Sequence, residues 1–198
     1  MHNRLQGWLK KVKVYLDVTQ VRGIARRYFI MNGFDGSMTM FGIVIGSWVA
    51  QITEAGVIVA AGLGACLAMG VSGFFGAFMA ERAERKGHLR VLEAEPTQPD
   101  PIHYEAHKFV SVYVALIDGI SPTLTAIVSL APFILTHGGL LSIETAYIIS
   151  PTLTLVTLFS LGFYLGKIAR ENVWLYGVQM LTVGIITAVL IFLLENIV

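Results

Sequence analysis

The sequence predicts an all-α integral membrane protein with five transmembrane helices. Of its 198 residues, 55% are hydrophobic and only 14% are charged, and the mean hydropathy is +0.70. A soluble domain typically has about 25% charged residues. The apolar residues fall into five stretches, each long enough to cross roughly 30 Å of hydrocarbon. These stretches lie near residues 28–50, 55–80, 109–135, 143–166 and 173–194.

The distribution of basic residues predicts the orientation of the spans. All fourteen Lys and Arg lie in residues 4–27, in residues 82–90, at Lys108, or at Lys167 and Arg170. The other connections and the C-terminal tail have none. Because cytoplasmic loops carry the excess of Lys and Arg, this alternation predicts an N-in, C-out topology. The compact loops favour a prokaryotic inner membrane.

Residues 1–27 precede the first span and are predicted to be a cytoplasmic amphipathic helix. Apolar residues recur there at helical spacing, from Leu5 to Leu16, opposite Arg4 and several lysines. Such a helix lies on the cytoplasmic leaflet and contacts membrane lipids. Residues 28–80 then contain the first two transmembrane helices.

Residues 81–108 are predicted to form a helical extension and hairpin in the cytoplasm. Strong helix formers continue past the second span until Pro96. A new helix then starts, with Asp100 as its N-cap and Pro101 at its first position. Residues 109–198 contain the last three spans, in which Pro122 and Pro151 predict kinks. The polar residues of the fourth span, among them Ser150, Thr154 and Thr157, predict interhelical hydrogen bonds.

Asp35 and Asp118 are the carboxylates that lie well inside predicted spans. An ionised Asp at mid-membrane costs about 2.5–3.5 kcal/mol, and such residues usually face a polar cavity. Both acids are therefore candidate binding sites for a cation or a proton. The alternative is that hydrogen bonds neutralise them and that they only hold helices together.

Helical spacing places other donors beside Asp35. Met38 and Thr39 share its face of the first span, and the second span presents a face that contains Cys66, Met69 and Gly73. A carboxylate opposite a thioether and a thiol suits a borderline transition metal better than Ca²⁺ or Mg²⁺. Met is also a common gap filler, so core packing remains the alternative for Met69.

Two polar stripes are predicted on the cytoplasmic helices. Glu81, Glu84 and His88 lie on one face of the extended second helix. The third helix carries a stripe within about 80° of arc, formed by His103, His107, Ser111 and Asp118. This stripe could pass a cation or a proton inward to Asp118. The alternative is a solvated charged face.

Several classes of function are excluded by the sequence. The motifs of serine hydrolases, zinc proteases, P-loop proteins and dinucleotide-binding enzymes are absent. The formal net charge of +1 suggests no nucleic-acid partner, and a single cysteine cannot form an intramolecular disulfide. We therefore expect a membrane protein that is not an enzyme and that has no permanently bound cofactor.

Two segments resemble the vacuolar iron transporter family. They are "FIMNGFDGSMTMFGIVIGSW" in the first span and "AAGLGACLAMGVSGFFGAFMAERAERK" in the second. In that family an Asp-Gly near the inner end of span one precedes a Gly-rich span two that contains a Met and continues into the cytoplasm. The resemblance is close over residues 27–90, and the last three spans agree in layout.

The resemblance implies a dimeric exporter of Fe²⁺, and of Mn²⁺ or similar divalent ions, coupled to protons. Its pathway would lie between the two copies of span one. The transport Asp and Met of the family correspond to Asp35 and Met69, and Glu81 and Glu84 are the nearest counterparts of its metal-capturing glutamates. The cytoplasmic segment is shorter here, and a Gly-Glu pair of the family is replaced by Ser-Gly at residues 72–73. Either His88, His103 and His107 compensate, or this branch lacks that metal reservoir.

Two other functions fit the same sequence. The first is a proton-linked carrier of another small cation or metabolite, with Asp35 and Asp118 as its charge partners. The second is a non-transporting membrane scaffold or sensor in which both acids are structural.

Overall fold

The computed structural model describes residues 21–93 and 101–195, with side chains described for residues 21–87 and 109–193. These segments form five α-helices and no strand. The helices are α1 (Val21–Val49), α2 (Ala55–Glu93), α3 (Pro101–His137), α4 (Ile143–Ala169) and α5 (Val173–Glu195). Each helix is long and apolar enough to cross a membrane, so the predicted fold class is confirmed.

The helix ends differ most from the predicted spans at the basic end of the bundle. α1 already includes Val21, although the first apolar stretch begins near residue 28. α2 continues without interruption to Glu93, and α3 begins at Pro101, the predicted first position. Of the predicted amphipathic helix over residues 1–27, residues 1–20 lie outside the described residues, and residues 21–27 are part of α1. The predicted stop at Pro96 and the predicted cap at Asp100 also lie outside the described residues.

α3 is the central helix of the bundle. It packs extensively against α1, α2 and α4, whereas α5 packs mainly against α4. One apolar cluster lies at each end: Val21, Val110 and Val114 at the end where α1 starts, and a larger cluster around Ile58 and Phe133 at the other. The described Lys and Arg side chains lie at the end where α1 starts. This distribution agrees with the charge pattern on which the predicted orientation rests.

Glycines allow the helices to approach each other closely. A Cβ on Gly36 of α1 would lie 2.1 Å from the carbonyl oxygen of Pro122 in α3. A Cβ on Gly119 of α3 would lie 2.6 Å from the carbonyl oxygen of Gly70 in α2. A Cβ on Gly162 of α4 would lie 2.4 Å from the carbonyl oxygen of Tyr176 in α5. Small residues at such crossings are typical of transmembrane helix packing, where dispersion contacts replace the hydrophobic effect.

Buried hydroxyl groups join α4 to α3. Ser150 Oγ donates to the carbonyl oxygen of Ser129 over 2.5 Å, and Thr154 Oγ1 donates to Ser129 Oγ over 2.7 Å. The three side chains are fully buried. The predicted interhelical bonds are therefore confirmed for Ser150 and Thr154, whereas Thr157 donates to the carbonyl of Leu153 in its own helix.

Candidate functional site

Asp35 lines a cleft between α1 and the α4–α5 pair. The cleft has a volume of about 520 Å³, and the Asp35 side chain is exposed within the single chain. Its lining is mostly apolar. It is formed by Gly23, Arg26, Arg27, Ile30, Met31, Phe34 and Asp35 of α1 and by Leu165, Ile168, Tyr176, Gln179, Met180 and Val183 of α4 and α5.

The direction of Asp35 follows from the packing of its neighbours. Gly33 and Gly36 are buried on the side of α1 that faces α3. The Gly33 carbonyl accepts a hydrogen bond of 2.8 Å from Thr125 Oγ1, and Gly36 lies against Pro122. Consecutive helical residues point about 100° apart. With its neighbours held against α3, Asp35 points away from the core and into the cleft.

Asp118 occupies a different environment, in the interior between α1, α2 and α3. Its side chain is only 7% exposed, and Asn32 Nδ2 donates a hydrogen bond to Asp118 Oδ1. A Cβ on Gly73 of α2 would lie 3.1 Å from Asp118 Oδ2, so the absence of a side chain at Gly73 leaves room for the carboxylate. Pro122 has no N–H, so the Asp118 carbonyl cannot receive its usual helical bond.

Two further polar groups lie near Asp118 at the basic end of the bundle. Glu81 is 5% exposed, and its Oε2 lies 3.0 Å from Arg85 Nη2 one turn later. The Tyr28 hydroxyl lies within electrostatic range of both Glu81 and Asp118, and Asp118 lies within range of Asp35. α1, α2 and α3 therefore each contribute one polar side chain to this region, namely Tyr28, Glu81 and Asp118, and two of the three are acids.

Asn32 is the member of this region that the sequence analysis missed. Its side-chain amide donates to Asp118 and to the Tyr28 carbonyl one turn earlier, so it links α1 to α3. The sequence contained a signal for this role, because an amide in an apolar span seldom lacks a hydrogen-bond partner in the membrane. Its position three residues before Asp35 puts it on the neighbouring face of α1.

The predicted donors of the second span lie on another side of the bundle. Cys66 is buried in the larger apolar cluster, and Met69 is half-buried against the same cluster. Cys66 also lines an apolar groove between α2 and α3, away from the Asp35 cleft. Within a single chain, Asp35 and Met69 therefore do not line the same cavity.

The remaining predicted residues are dispersed. Met38 is half-buried and Thr39 exposed on α1, and Glu84 is exposed on α2. Ser111 is buried, so the inner half of the predicted stripe on α3 faces protein. His88, His103 and His107 lie on α2 and α3, but their side chains are outside the described part. Among the described side chains, no three His, Cys, Asp or Glu form a group that could hold a metal ion.

Comparison with known proteins identifies the family. The VIT family model matches residues 100–195, which include α3, α4 and α5. An uncharacterised protein of Methanocaldococcus jannaschii is 35% identical over 175 residues, which cover 86% of this chain and 88% of the relative. The chain belongs to the VIT family. The VIT match covers the last three spans, so it complements the resemblance seen in the first two.

VIT membership indicates a role in membrane transport of metal or other ions. Members of the VIT family are transporters and not enzymes, which agrees with the predicted class. Together with the five apolar helices, membership makes the chain a multi-pass integral membrane protein.

Proposed function

We propose that this VIT protein exports a divalent transition metal ion, Fe²⁺ or Mn²⁺, from the cytoplasm in exchange for protons. The observation that carries the proposal is the exposure of Asp35 in the cleft beside α1. A carboxylate inside a membrane span is costly unless a charge, a proton or water compensates it. Asp35 faces a cleft, so an ion that passes through could supply this compensation.

Competition for one carboxylate couples the two ions. A metal ion binds the ionised carboxylate, whereas a proton neutralises it, so the two cannot occupy Asp35 together. A metal released on one side is replaced by a proton that returns from that side. Asp118 serves as the second cation or proton site in this scheme, because it is within electrostatic range of Asp35.

The proposal requires a homodimer to complete the metal site. Asp35 supplies the hard oxygen ligand and Met69 the soft thioether, a donor set that suits a borderline metal. Asp35 and Met69 lie on different sides of one chain, so one of the two donors has to come from a second copy of the chain. Glu81, Glu84, His88, His103 and His107 would capture the metal on the cytoplasmic side.

A liposome flux assay tests the proposal. Purified protein is reconstituted with a dye that Fe²⁺ or Mn²⁺ quenches, and Asp35→Asn is compared with wild type. We expect wild type to quench the dye and Asp35→Asn to quench it at the protein-free rate. The matched control is Glu54→Gln, which removes an exposed carboxylate outside the cleft and should transport normally. Equal quenching by Asp35→Asn and wild type would exclude Asp35 from the mechanism.

A second candidate function is favoured by the size of the cleft. Its volume of about 520 Å³ lies within the range of small-molecule sites, about 300–1,000 Å³, and its lining is mostly apolar. A proton-linked carrier of a small organic cation would use the same Asp35. Metal-dependent thermal stabilisation that disappears in Asp35→Asn would favour the metal, and stabilisation by organic cations alone would favour this carrier.

A further inference from the structure

An aromatic cluster lies on the α4–α5 pair at the basic end of the bundle. Trp174 is in the first turn of α5, and its ring centre lies 5.9 Å from the ring centres of both Phe159 and Phe163 of α4. The Trp174 side chain is 65% exposed, and the Phe163 side chain is exposed as well. Trp is enriched at the ends of membrane spans because its ring suits the boundary between head groups and hydrocarbon. We therefore expect the cluster to lie at this boundary.

The aromatic cluster faces away from the cleft that Asp35 lines. Leu165 of α4 and Tyr176 of α5 line that cleft. Leu165 follows Phe163 by two positions, and Tyr176 follows Trp174 by two positions. Two residues turn an α-helix by about 200°. The cluster and the cleft therefore lie on opposite sides of the two helices, and an occupant of the cluster leaves the cleft open.

Two basic side chains lie beside the aromatic cluster. Lys167 follows Phe163 by one turn on the same face of α4, and Arg170 caps this helix three residues later. Both are exposed, and in the described part of the chain no carboxylate forms an ion pair with either of them. The adjacent acid, Glu171, instead accepts a hydrogen bond of 2.9 Å from the hydroxyl of Tyr176, a residue of the cleft. Both positive charges are therefore available to an anion.

We propose that this surface binds one anionic phospholipid, with its phosphate on Lys167 and Arg170 and its acyl chains against Phe163 and Trp174. In the orientation that the basic residues predict, the surface lies in the cytoplasmic leaflet, which contains anionic lipids. Lys167 lies about 6 Å from Phe163 along the helix axis, at 1.5 Å per residue. This separation places the positive charges level with the head groups and the rings level with the upper part of the acyl chains.

Charge favours a lipid over a second copy of the chain at this surface. Two copies that met here about a two-fold axis would place Lys167 and Arg170 against the same two charges of the other copy. An anionic head group is attracted to these charges, and the exposed rings beside them suit the apolar part that a free phosphate ion lacks. The proposal is independent of the proposed function, because the surface leaves the Asp35 cleft free for the metal and for a second copy.

Quenching of tryptophan fluorescence by brominated lipids tests the proposal. The chain has three tryptophans, so replacement of Trp8 and Trp48 by Phe leaves Trp174 alone. The full-length protein is reconstituted in phosphatidylcholine that contains the same low fraction of brominated phosphatidylglycerol or of brominated phosphatidylcholine. We expect the apparent association constant at Trp174 to be roughly thirtyfold higher for phosphatidylglycerol, because each basic residue near the surface contributes roughly fivefold.

Trp48 provides a control for the position of the fluorophore. Its side chain is exposed near the other end of α1, away from the described Lys and Arg side chains. A protein that keeps Trp48 as its single tryptophan should be quenched equally by both brominated lipids. An equal preference for phosphatidylglycerol at Trp48 and Trp174 would show attraction to the whole protein and would overturn the proposed site.

Two charge variants of the protein that keeps only Trp174 locate the site. Lys167→Gln/Arg170→Gln should remove the preference for phosphatidylglycerol. The matched control Arg82→Gln/Lys86→Gln also removes one arginine and one lysine, both exposed on α2 at the same end of the bundle, and should keep the preference. Equal quenching by the two lipids before any charge is removed would overturn the proposal. A preference that survives Lys167→Gln/Arg170→Gln, or that the control loses to the same extent, would overturn it as well.

Two further measurements distinguish the lipid from other occupants. Inorganic phosphate, compared with sodium chloride at the same ionic strength, should leave the preference unchanged. Val178→Cys, in a Cys66→Ala background, is exposed one turn after Trp174 and should form no crosslink between copies. Loss of the preference in phosphate would mean that a free ion occupies the surface, and a crosslink would mean that a second copy covers it. Either result would overturn the proposal.

Discussion

Asn32 of α1 donates a hydrogen bond to Asp118 of α3, and the bond lies in the interior of the bundle. It pairs a buried acid with an amide, so the acid is not left without a partner. Asp118 is thus both a candidate proton or cation site and a structural link between α1 and α3. The two roles can be separated by variants that remove one partner or both.

Removal of the Asn32 amide should destabilise the fold. In Asn32→Leu the buried Asp118 carboxylate loses its donor, which costs about 1–3 kcal/mol. We expect a lower midpoint of thermal unfolding in detergent. Thr39→Ala, at an exposed position of α1, is the control and should unfold like wild type. The double variant Asn32→Leu/Asp118→Leu should recover most of the loss, and equal loss in the single and double variants would contradict this account.

The contact between Gly36 and Pro122 should tolerate no side chain. A Cβ at Gly36 would lie 2.1 Å from the Pro122 carbonyl oxygen, so Gly36→Ala has to separate α1 from α3. We expect the free energy of unfolding to fall by about 3 kcal/mol, at the upper end of the range for overpacking. The matched control is Gly46→Ala in the same helix, where nothing lies within 4 Å of the added methyl group. Denaturation of both variants in detergent measures the difference, and equal stability would show that the crossing is looser than described.

The hydroxyl contact between α4 and α3 should contribute less to the free energy of unfolding than the Gly36 contact. Thr154→Val keeps the shape but removes the bond to Ser129 Oγ, and such bonds in membranes average about 0.6 kcal/mol. The control Thr152→Val removes an exposed hydroxyl that bonds to the Ile148 carbonyl of its own helix. We expect a small decrease in the unfolding midpoint for Thr154→Val. A larger loss for Thr152→Val would contradict the assignment of the buried contact.

Cysteine labelling should reveal the orientation. Cys66 is 4% exposed and is replaced by Ala to give a background without thiols. In intact cells, a maleimide that does not cross the membrane should label Thr53→Cys in the α1–α2 connection. It should not label Glu171→Cys in the α4–α5 connection until the cells are permeabilised. The reverse pattern would place the N-terminus outside and overturn the predicted topology.

Composition and charge predict the fold well because the membrane restricts the choices. Every backbone polar group in hydrocarbon needs an internal partner, so an apolar stretch of this length becomes a helix. The starts of α2, α4 and α5 agree with the predicted stretches within the precision of such boundaries. The first apolar stretch was predicted to begin near residue 28, after the start of α1 at Val21, because Arg22, Arg26 and Arg27 lower the hydropathy of a segment that is still helical.

The candidate site was predictable only in part. A lone acid in an apolar span marks Asp35 and Asp118 without structural information. Which acid faces a cleft and which is buried depends on the crossing of α1 and α3. That crossing depends on Gly36 and Pro122, which lie 86 positions apart. Helical spacing within one span cannot reveal such a pairing, and the link from Asn32 to Asp118 was missed for the same reason.

The close approach at Gly36 also determines how α1 can move. Rotation of α1 about its long axis would bring a larger residue against Pro122 and force the two backbones apart. Asp35 is next to Gly36 in α1 and rotates with it. The direction of the Asp35 side chain is therefore fixed by the packing of Gly36, which has no side chain of its own. Because α1 cannot rotate, the Asp35 carboxylate cannot move from the cleft into the core. The positive charge that compensates it has to come from outside the chain.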